Sequence, residues 1–213
     1  MEVSSDPFVG LRRGHYGLIL SDPPWNFATF SDKGLGKSPQ SHYDCMSLDA
    51  IKALPVAELA APDCALIMWA VSPMLPHALE VMQAWGFKFK SAGAWAKQSS
   101  TGASWAFGTG FIYRGAAEHF LVGTRGKPAV RSRSIRNLIV APLREHSRKP
   151  EQMREDAAAL FAGPRLEMFA RERAPGWDAW GNQAPQLSIR ERLAELELEL
   201  GNLAAAIRER VPT

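Results

Sequence analysis

Apolar residues fall along this chain in two patterns. Short unbroken runs bounded by Gly, Pro or polar residues read as strands buried on both faces, and stretches with apolar positions three and four apart read as helices. Gly17-Leu-Ile-Leu-Ser21 is a run of the first kind and ends at Asp22. Cys64 to Ala70 is a second strand, Phe87 to Lys97 alternates in part and makes a third, and Glu118 to Gly123 and Asn137 to Ala141 are further ones. Arg165 to Ala170 is a last short strand. Between them, Ser47 to Leu54 predicts a short helix capped by Ser47. Pro73 to Trp85 carries Leu75, Leu79 and Met82 at helical spacing and stops at Gly86, a good terminator. Pro150 to Phe161 predicts a helix with Pro at its first position. Strands alternating with helices predict an α/β fold, a wound and mostly parallel sheet flanked by helices.

Two polar loops interrupt this pattern, Asn26 to His42 and Gln98 to Gly115, both rich in Gly and Ser. Long loops in compact domains are usually functional or mobile. Gly108-Thr-Gly110 lacks the spacing of a dinucleotide-binding loop. Trp105, Phe107 and Tyr113 in the second loop are either contacts for an unstacked base or anchors of the loop. Past residue 185 the pattern changes: Ile189, Leu193, Leu196, Leu200, Leu203 and Ile207 recur at spacings of four and three, with Glu and Arg around them. This predicts one domain over residues 1–185 and an amphipathic helix over 186–213 that either packs on its own domain or pairs with a second copy as a homodimer.

Composition narrows the class only slightly. The 213 residues are 46% apolar, which fits one domain with a sizeable core. Cys45 and Cys64 have no metal-ligand spacing, so neither a metal site nor a disulfide scaffold is expected, and a reducing cytoplasm fits, as of a bacterial or phage-infected cell. The N-terminus has no signal-peptide core, and no apolar run approaches the length of a membrane span. The net charge of +3 is a weak hint of an anionic partner, but its distribution says more. Arg125, Lys127, Arg131, Arg133, Arg136, Arg144, Arg148 and Lys149 stand against Glu145 alone. This is either a phosphate-binding surface, with Arg131, Arg133 and Arg136 contacting substrate, or a solvated basic face.

The strongest chemical signal is Asp22-Pro23-Pro24-Trp25 at the end of a buried strand, where open α/β sheets place their ligands. An adenine amine is a poor nucleophile because its lone pair is delocalised into the ring. A carboxylate accepting one amine hydrogen and a carbonyl accepting the other favour a more tetrahedral nitrogen. Asp22 supplies the first and Pro23 the second, its direction fixed by two prolines with locked φ. Trp25 offers a stacking face for an extruded base. The other reading of the tetrapeptide is a rigid turn carrying a core tryptophan.

From Leu18 to about Gln183 the chain resembles the DPPW-type adenine-N6 methyltransferases, the family of the eukaryotic mRNA adenosine methyltransferase subunits and their bacterial and phage relatives. Besides the tetrapeptide, the resemblance rests on Tyr43, Leu66-Ile-Met-Trp69, Trp85-Gly86, Trp95-Ala-Lys97, Glu118-His119 and Leu121-Val-Gly123. It continues through Ser147-Arg-Lys-Pro150, Glu167-Met-Phe169 and Gly181-Asn-Gln183. It implies a Rossmann-like class I methyltransferase fold with permuted motif order, and S-adenosylmethionine as cofactor. It places Asp22, Pro24, Lys149, Glu167, Phe169, Arg171, Asn182 and Gln183 at the cofactor, with Lys149 meeting its carboxylate. It places Trp25, Asn26 and Tyr43 at the substrate, and Asp6 near the cofactor adenine. The chain departs from the eukaryotic pattern at Arg173-Ala174, where those enzymes carry His-Asn, which puts one ribose contact in doubt. The expected activity is methylation of adenine N6 in nucleic acid. DNA is favoured over RNA because the chain is short and carries no appended RNA module. The alternative is a catalytically inactive relative that binds nucleic acid or scaffolds a partner.

Overall fold

The computed structural model describes residues 6–26, 45–108, 112–144, 148–182 and 201. The elements in order are β1 (Tyr16–Ser21), α1 (Leu48–Ala53), β2 (Ala60–Ala70), α2 (Leu75–Ala84), β3 (Lys88–Gln98), β4 (Ala117–Arg125), β5 (Leu138–Pro142), α3 (Gln152–Leu160), β6 (Arg165–Met168) and β7 (Asp178–Trp180). They build one seven-stranded sheet in the order β5-β3-β4-β2-β1-β6-β7. Only β4 among these strands runs antiparallel to its neighbours β2 and β3; the β1–β2, β1–β6, β3–β5 and β6–β7 pairs are parallel. The expected wound, mostly parallel α/β sheet is the one observed, and with it the Rossmann-like methyltransferase architecture.

Local chemistry sets the boundaries. β1 is unbroken in apolar character because it is flanked by β2 and β6 and covered on both faces. The Ser47 hydroxyl accepts the Ala50 amide at 3.1 Å, the expected cap of α1. α2 ends in a paired closure: Phe87 N–H donates to Met82 O at 3.0 Å and Gly86 N–H to Gln83 O at 2.9 Å. That closure needs the left-handed φ of +81° at Gly86, which glycine adopts without strain. Pro150 sits ahead of the cap residue Glu151 rather than at the first helical position. There its carbonyl still accepts the Met153 amide at 3.2 Å.

Each face of the sheet has its own core. On one face Phe8, Ile51, Val81, Met82 and Trp85 pack on Ile19, Leu66, Met68 and Met168. On the other, Met153 and Ala157 of α3 and Phe161 just after it pack on Leu18, Leu20, Ile67, Trp69, Trp95 and Phe120. A cavity of about 500 Å³ opens on this second face between α3 and the loop 126–137. Its lining, which includes Ile67, Val122, Ile139 and Leu160, contains none of the tetrapeptide residues. No described helix is long and apolar enough to cross a membrane.

β6 is not the last strand: β7 follows it and pairs with it. The three residues Asp178-Ala-Trp180 are too short a run to show a period. The stripe from Ile189 to Ile207 lies outside the described residues, apart from Gly201, which is helical and exposed.

Candidate active site

Side chains alternate between the two faces of a strand. Leu18 and Leu20 point into the α3-side core, so Asp22 continues that face just past the end of β1. The antiparallel sense of β4 brings its first residues to the same edge, next to the end of β3, where Glu118 lies opposite Trp95. Lys149, just ahead of α3, joins the two. Its Nζ donates to Asp22 Oδ2 at 2.8 Å and lies 3.0 Å from Glu118 Oε1. Lys97 Nζ donates to the other Glu118 oxygen at 2.6 Å. The result is a row of alternating charge, Asp22–Lys149–Glu118–Lys97.

The row rests on aromatic rings. Trp69 meets Trp95 and Phe120 edge to face, with centroids 6.4 and 5.5 Å apart. Lys149 Nζ stands 5.6 Å from the Trp69 ring and Lys97 Nζ 4.9 Å from Trp95. Glu118 is 4% exposed. Burial alone pushes its pKa up, but attraction to Lys149 and Lys97 outweighs this and holds it far below the usual glutamate value, at about 2. For Lys149, burial works against the charged form, and attraction to Asp22 and Glu118 overcomes it, so its pKa is raised.

A second charged row flanks the first. Arg154 of α3 grips Glu167 with Nε and Nη2 at 2.7 and 3.1 Å and reaches Glu172 at 3.0 Å; Arg148 holds Glu172 at 2.6 and 2.7 Å. Burial raises the Glu167 pKa, with Asp22 and Glu172 pushing the same way against Arg154.

The tetrapeptide itself forms a tight turn. Trp25 N–H donates to Pro23 O at 2.8 Å and Met46 N–H to Pro24 O at 3.1 Å. Trp25 is 4% exposed, and its indole N–H donates to Trp69 O at 3.0 Å. It is therefore packed in the core on the face opposite Lys149, and the stacking face expected of it is covered. The Pro23 carbonyl keeps a second lone pair for another donor.

At the β6–β7 end, Phe169 has φ +60°, rare for a residue with a side chain, and turns back onto the opposite core to meet Trp180 edge to face at 5.2 Å. Trp180 in turn meets Phe8 and donates its indole N–H to Pro7 O at 2.8 Å, so the segment beside Asp6 reaches this end of the sheet. Asp6 itself accepts the Phe8 amide at 3.0 Å and pairs with Arg13. Past β7 the chain passes so close to the segment after β6 that a Cβ on Gly181 would lie 2.5 Å from Ala170 O, which accounts for that glycine. Arg171 is half-buried, and Asn26 and Asn182 are exposed. Tyr43 and Gln183 lie outside the described residues.

The basic run of residues 125–149 does not form one surface. Arg125 donates to Ala57 O and the Lys127 amide to Asp63, at the edge of the sheet opposite Asp22. Arg131, Arg133 and Arg136 are exposed on the loop that climbs from that edge, where the Arg131 amide donates to Leu160 O at the far end of α3. Only Arg144, Arg148 and Lys149 reach the Asp22 edge, and all three are ion-paired.

The chain matches the MT-A70 family from residue 16 to residue 183. It belongs to that family. The matched span opens on the first residue of β1 and closes just past β7, so the MT-A70 match takes in the whole sheet and both charged rows. The chain is 29% identical over 201 residues to the type II methyltransferase M.MunI of a Mycoplasma, covering 85% of this chain and 83% of that protein. It is 30% identical over 174 residues to an N(6)-adenosine-methyltransferase MT-A70-like protein of Arabidopsis thaliana, covering 80% of this chain but 24% of that one. It is 27% identical over 199 residues to the N(6)-adenine-specific methyltransferase METTL4 of Mus musculus, covering 85% of this chain and 40% of that one.

Sequence reasoning assigned no role to Lys97, Glu118, Arg154 or Glu172. A signal was present for Glu118, an acid just ahead of the mostly apolar run Phe120 to Gly123, since such charges are rarely buried without a partner. Lys97 lies near the end of a strand that carries two further lysines and has no such mark. Arg154 and Glu172 carry no such mark, since a polar residue on a helix or loop is ordinary.

Proposed function

We propose that this MT-A70 protein transfers a methyl group from S-adenosylmethionine to the N6 amine of adenine in nucleic acid, DNA in preference to RNA. The observation that carries this reading is the Asp22 carboxylate, 28% exposed at the end of β1 and fixed at 2.8 Å by a half-buried lysine. Asp22 accepts one hydrogen of the target amine and the free lone pair of the Pro23 carbonyl accepts the other. Lys149 and Glu118 keep the carboxylate from turning away, and positioning of this kind supplies much of the catalysis in an in-line transfer.

The residues present fit the cofactor. Its amino acid end carries a carboxylate and an ammonium, its ribose carries hydroxyls, and its sulfonium is cationic. Lys149 spends two of its three N–H donors on Asp22 and Glu118 and keeps one for a carboxylate. Glu167, presented by Arg154, is the acceptor for ribose hydroxyls, and the family resemblance adds Arg171, Asn182 and Gln183 to that role. Pro24 borders the same edge, and Phe169 with Trp180 gives the apolar wall for the adenosine. When bound, S-adenosylmethionine supplies the electrophilic methyl. Asp22 is the nearest carboxylate for the proton the amine sheds.

The preference for DNA draws on the likeness to a type II methyltransferase along most of both chains, whereas the plant adenosine methyltransferase aligns over only about a quarter of its length. The test is mass spectrometry of nucleosides from DNA and RNA incubated with the protein and labelled cofactor. N6-methyladenine in the DNA digest is expected. Cofactor binding by calorimetry with no methylated nucleoside in either digest would replace this reading with that of an inactive binding subunit.

A further inference from the structure

The described residues of the segment joining β3 to β4, 99–108 and 112–116, are tied down by their backbone and largely bare on their surface. Lys97 sits at its root, its carbonyl accepting the Ala106 amide and its amide donating to Ala116 O, both at 2.8 Å. Ser99 N–H donates to Ser104 O at 2.8 Å, closing a turn that bridges Gln98 to Trp105. Further out, Gly108 N–H donates to Gly115 O at 2.9 Å. Yet Trp105 is 62% exposed, Phe107 81% and Tyr113 87%, while Trp69, Trp85 and Trp95 are fully buried. These three are therefore not anchors of the loop. Arg114 lies over the Phe107 ring at 5.4 Å.

Two observations select a partner. Residues 99–117 contain no Asp or Glu and one cation, Arg114, among Ser, Thr, Gly and aromatics. Such a surface is complementary to a polyanion with aromatic bases. Lys97 also ties this segment to the Asp22 edge, because its side chain ends the charged row through Glu118. The extruded base needs an aromatic neighbour, and Trp25 is buried.

We infer that this segment is a stacking platform for unpaired bases of the nucleic acid, with Phe107 and Tyr113 as its faces and Arg114 as a phosphate contact. Bases have π-faces whatever their identity, so the platform holds the strand near the target without reading its sequence. The inference rests on the nucleic-acid substrate proposed above and adds where the strand is gripped.

The test uses the full chain with a fluorescent adenine-containing oligonucleotide, comparing wild type with the double variants Phe107→Ser/Tyr113→Ser and Phe107→Trp/Tyr113→Phe. Both positions are exposed, so folding is retained. The serine pair should weaken oligonucleotide binding about tenfold or more, with cofactor affinity unchanged, and the aromatic pair should restore it. A 2-aminopurine beside the target should lose fluorescence on binding to wild type but not to the serine pair. Methylation by wild type with equal binding by the serine pair would overturn this inference alone. So would a serine pair that sediments as a smaller species than wild type while binding the oligonucleotide equally, which would make the surface an interface between copies. A wild type that binds no nucleic acid would remove the proposed function and this inference together.

Discussion

At the scale of single residues, the site is a row of charge around one buried glutamate, and its members depend on each other. Removing Asp22 takes away the group proposed to face the target amine but leaves Lys149 held by Glu118, 3.0 Å away. Asp22→Ala is therefore expected to abolish methyl transfer while cofactor affinity, read by calorimetry, stays within a few-fold. Glu118 gives a pH signature. Its folded pKa lies below the ordinary 4.5, so its charge stabilises the fold above that value, and the contribution is lost as pH falls toward about 2. Removing one partner of a buried charged group costs on the order of 3 kcal/mol. The melting temperature of Glu118→Gln should therefore fall well below that of wild type near neutral pH, and the gap should close in acid. A constant gap across this range would mean that Glu118 contributes shape rather than charge.

At the scale of elements, one reversed strand decides what meets at the edge. β4 runs against β2 and β3, so its beginning, rather than its end, lies beside Asp22. The chain that leaves the far end of β4 must then climb back to β5, and Arg131, Arg133 and Arg136 ride on that climb. We propose that they touch phosphates away from the target nucleotide. Neutralising all three should flatten the salt dependence of binding to a long duplex, the slope falling by about 0.9 for every phosphate left without its arginine. A short oligonucleotide spanning only the Asp22 edge should bind unchanged. An unaltered slope on the long duplex would leave these arginines as a solvated face.

At the scale of the whole molecule, the family match ends at residue 183 and the apolar stripe of Ile189 to Ile207 begins just after it. The helix predicted over 186–213 follows the last described strand and so has less need to fill that sheet's core, and an uncovered apolar stripe favours association. We propose a symmetric homodimer through this stripe, the commonest closed assembly. Sedimentation of the full chain and of one ending near Pro185 checks it. The full chain should run as a dimer and the shorter one as a monomer, and two monomers would assign the helix to its own subunit.

The sequence by itself determined the elements whose signals are local. The unbroken apolar run of β1, the Ser47 cap and the Gly86 stop each depend on neighbours a few residues away, so their composition was enough. The tetrapeptide was legible for the same reason: its prolines fix the turn without help from the rest of the fold. Tertiary structure alone decided which charges meet. Asp22 and Lys149 are 127 residues apart along the chain, and no periodicity encodes the direction of β4 that brings Glu118 between the lysines. Burial was also decided there. Trp25 reads first as a stacking face, with a core side chain as the other reading, until the Trp69 carbonyl is seen to hold its N–H. Eight bases close in sequence part company because β5 runs across the sheet between Arg136 and Arg144 and carries the chain from one edge to the other.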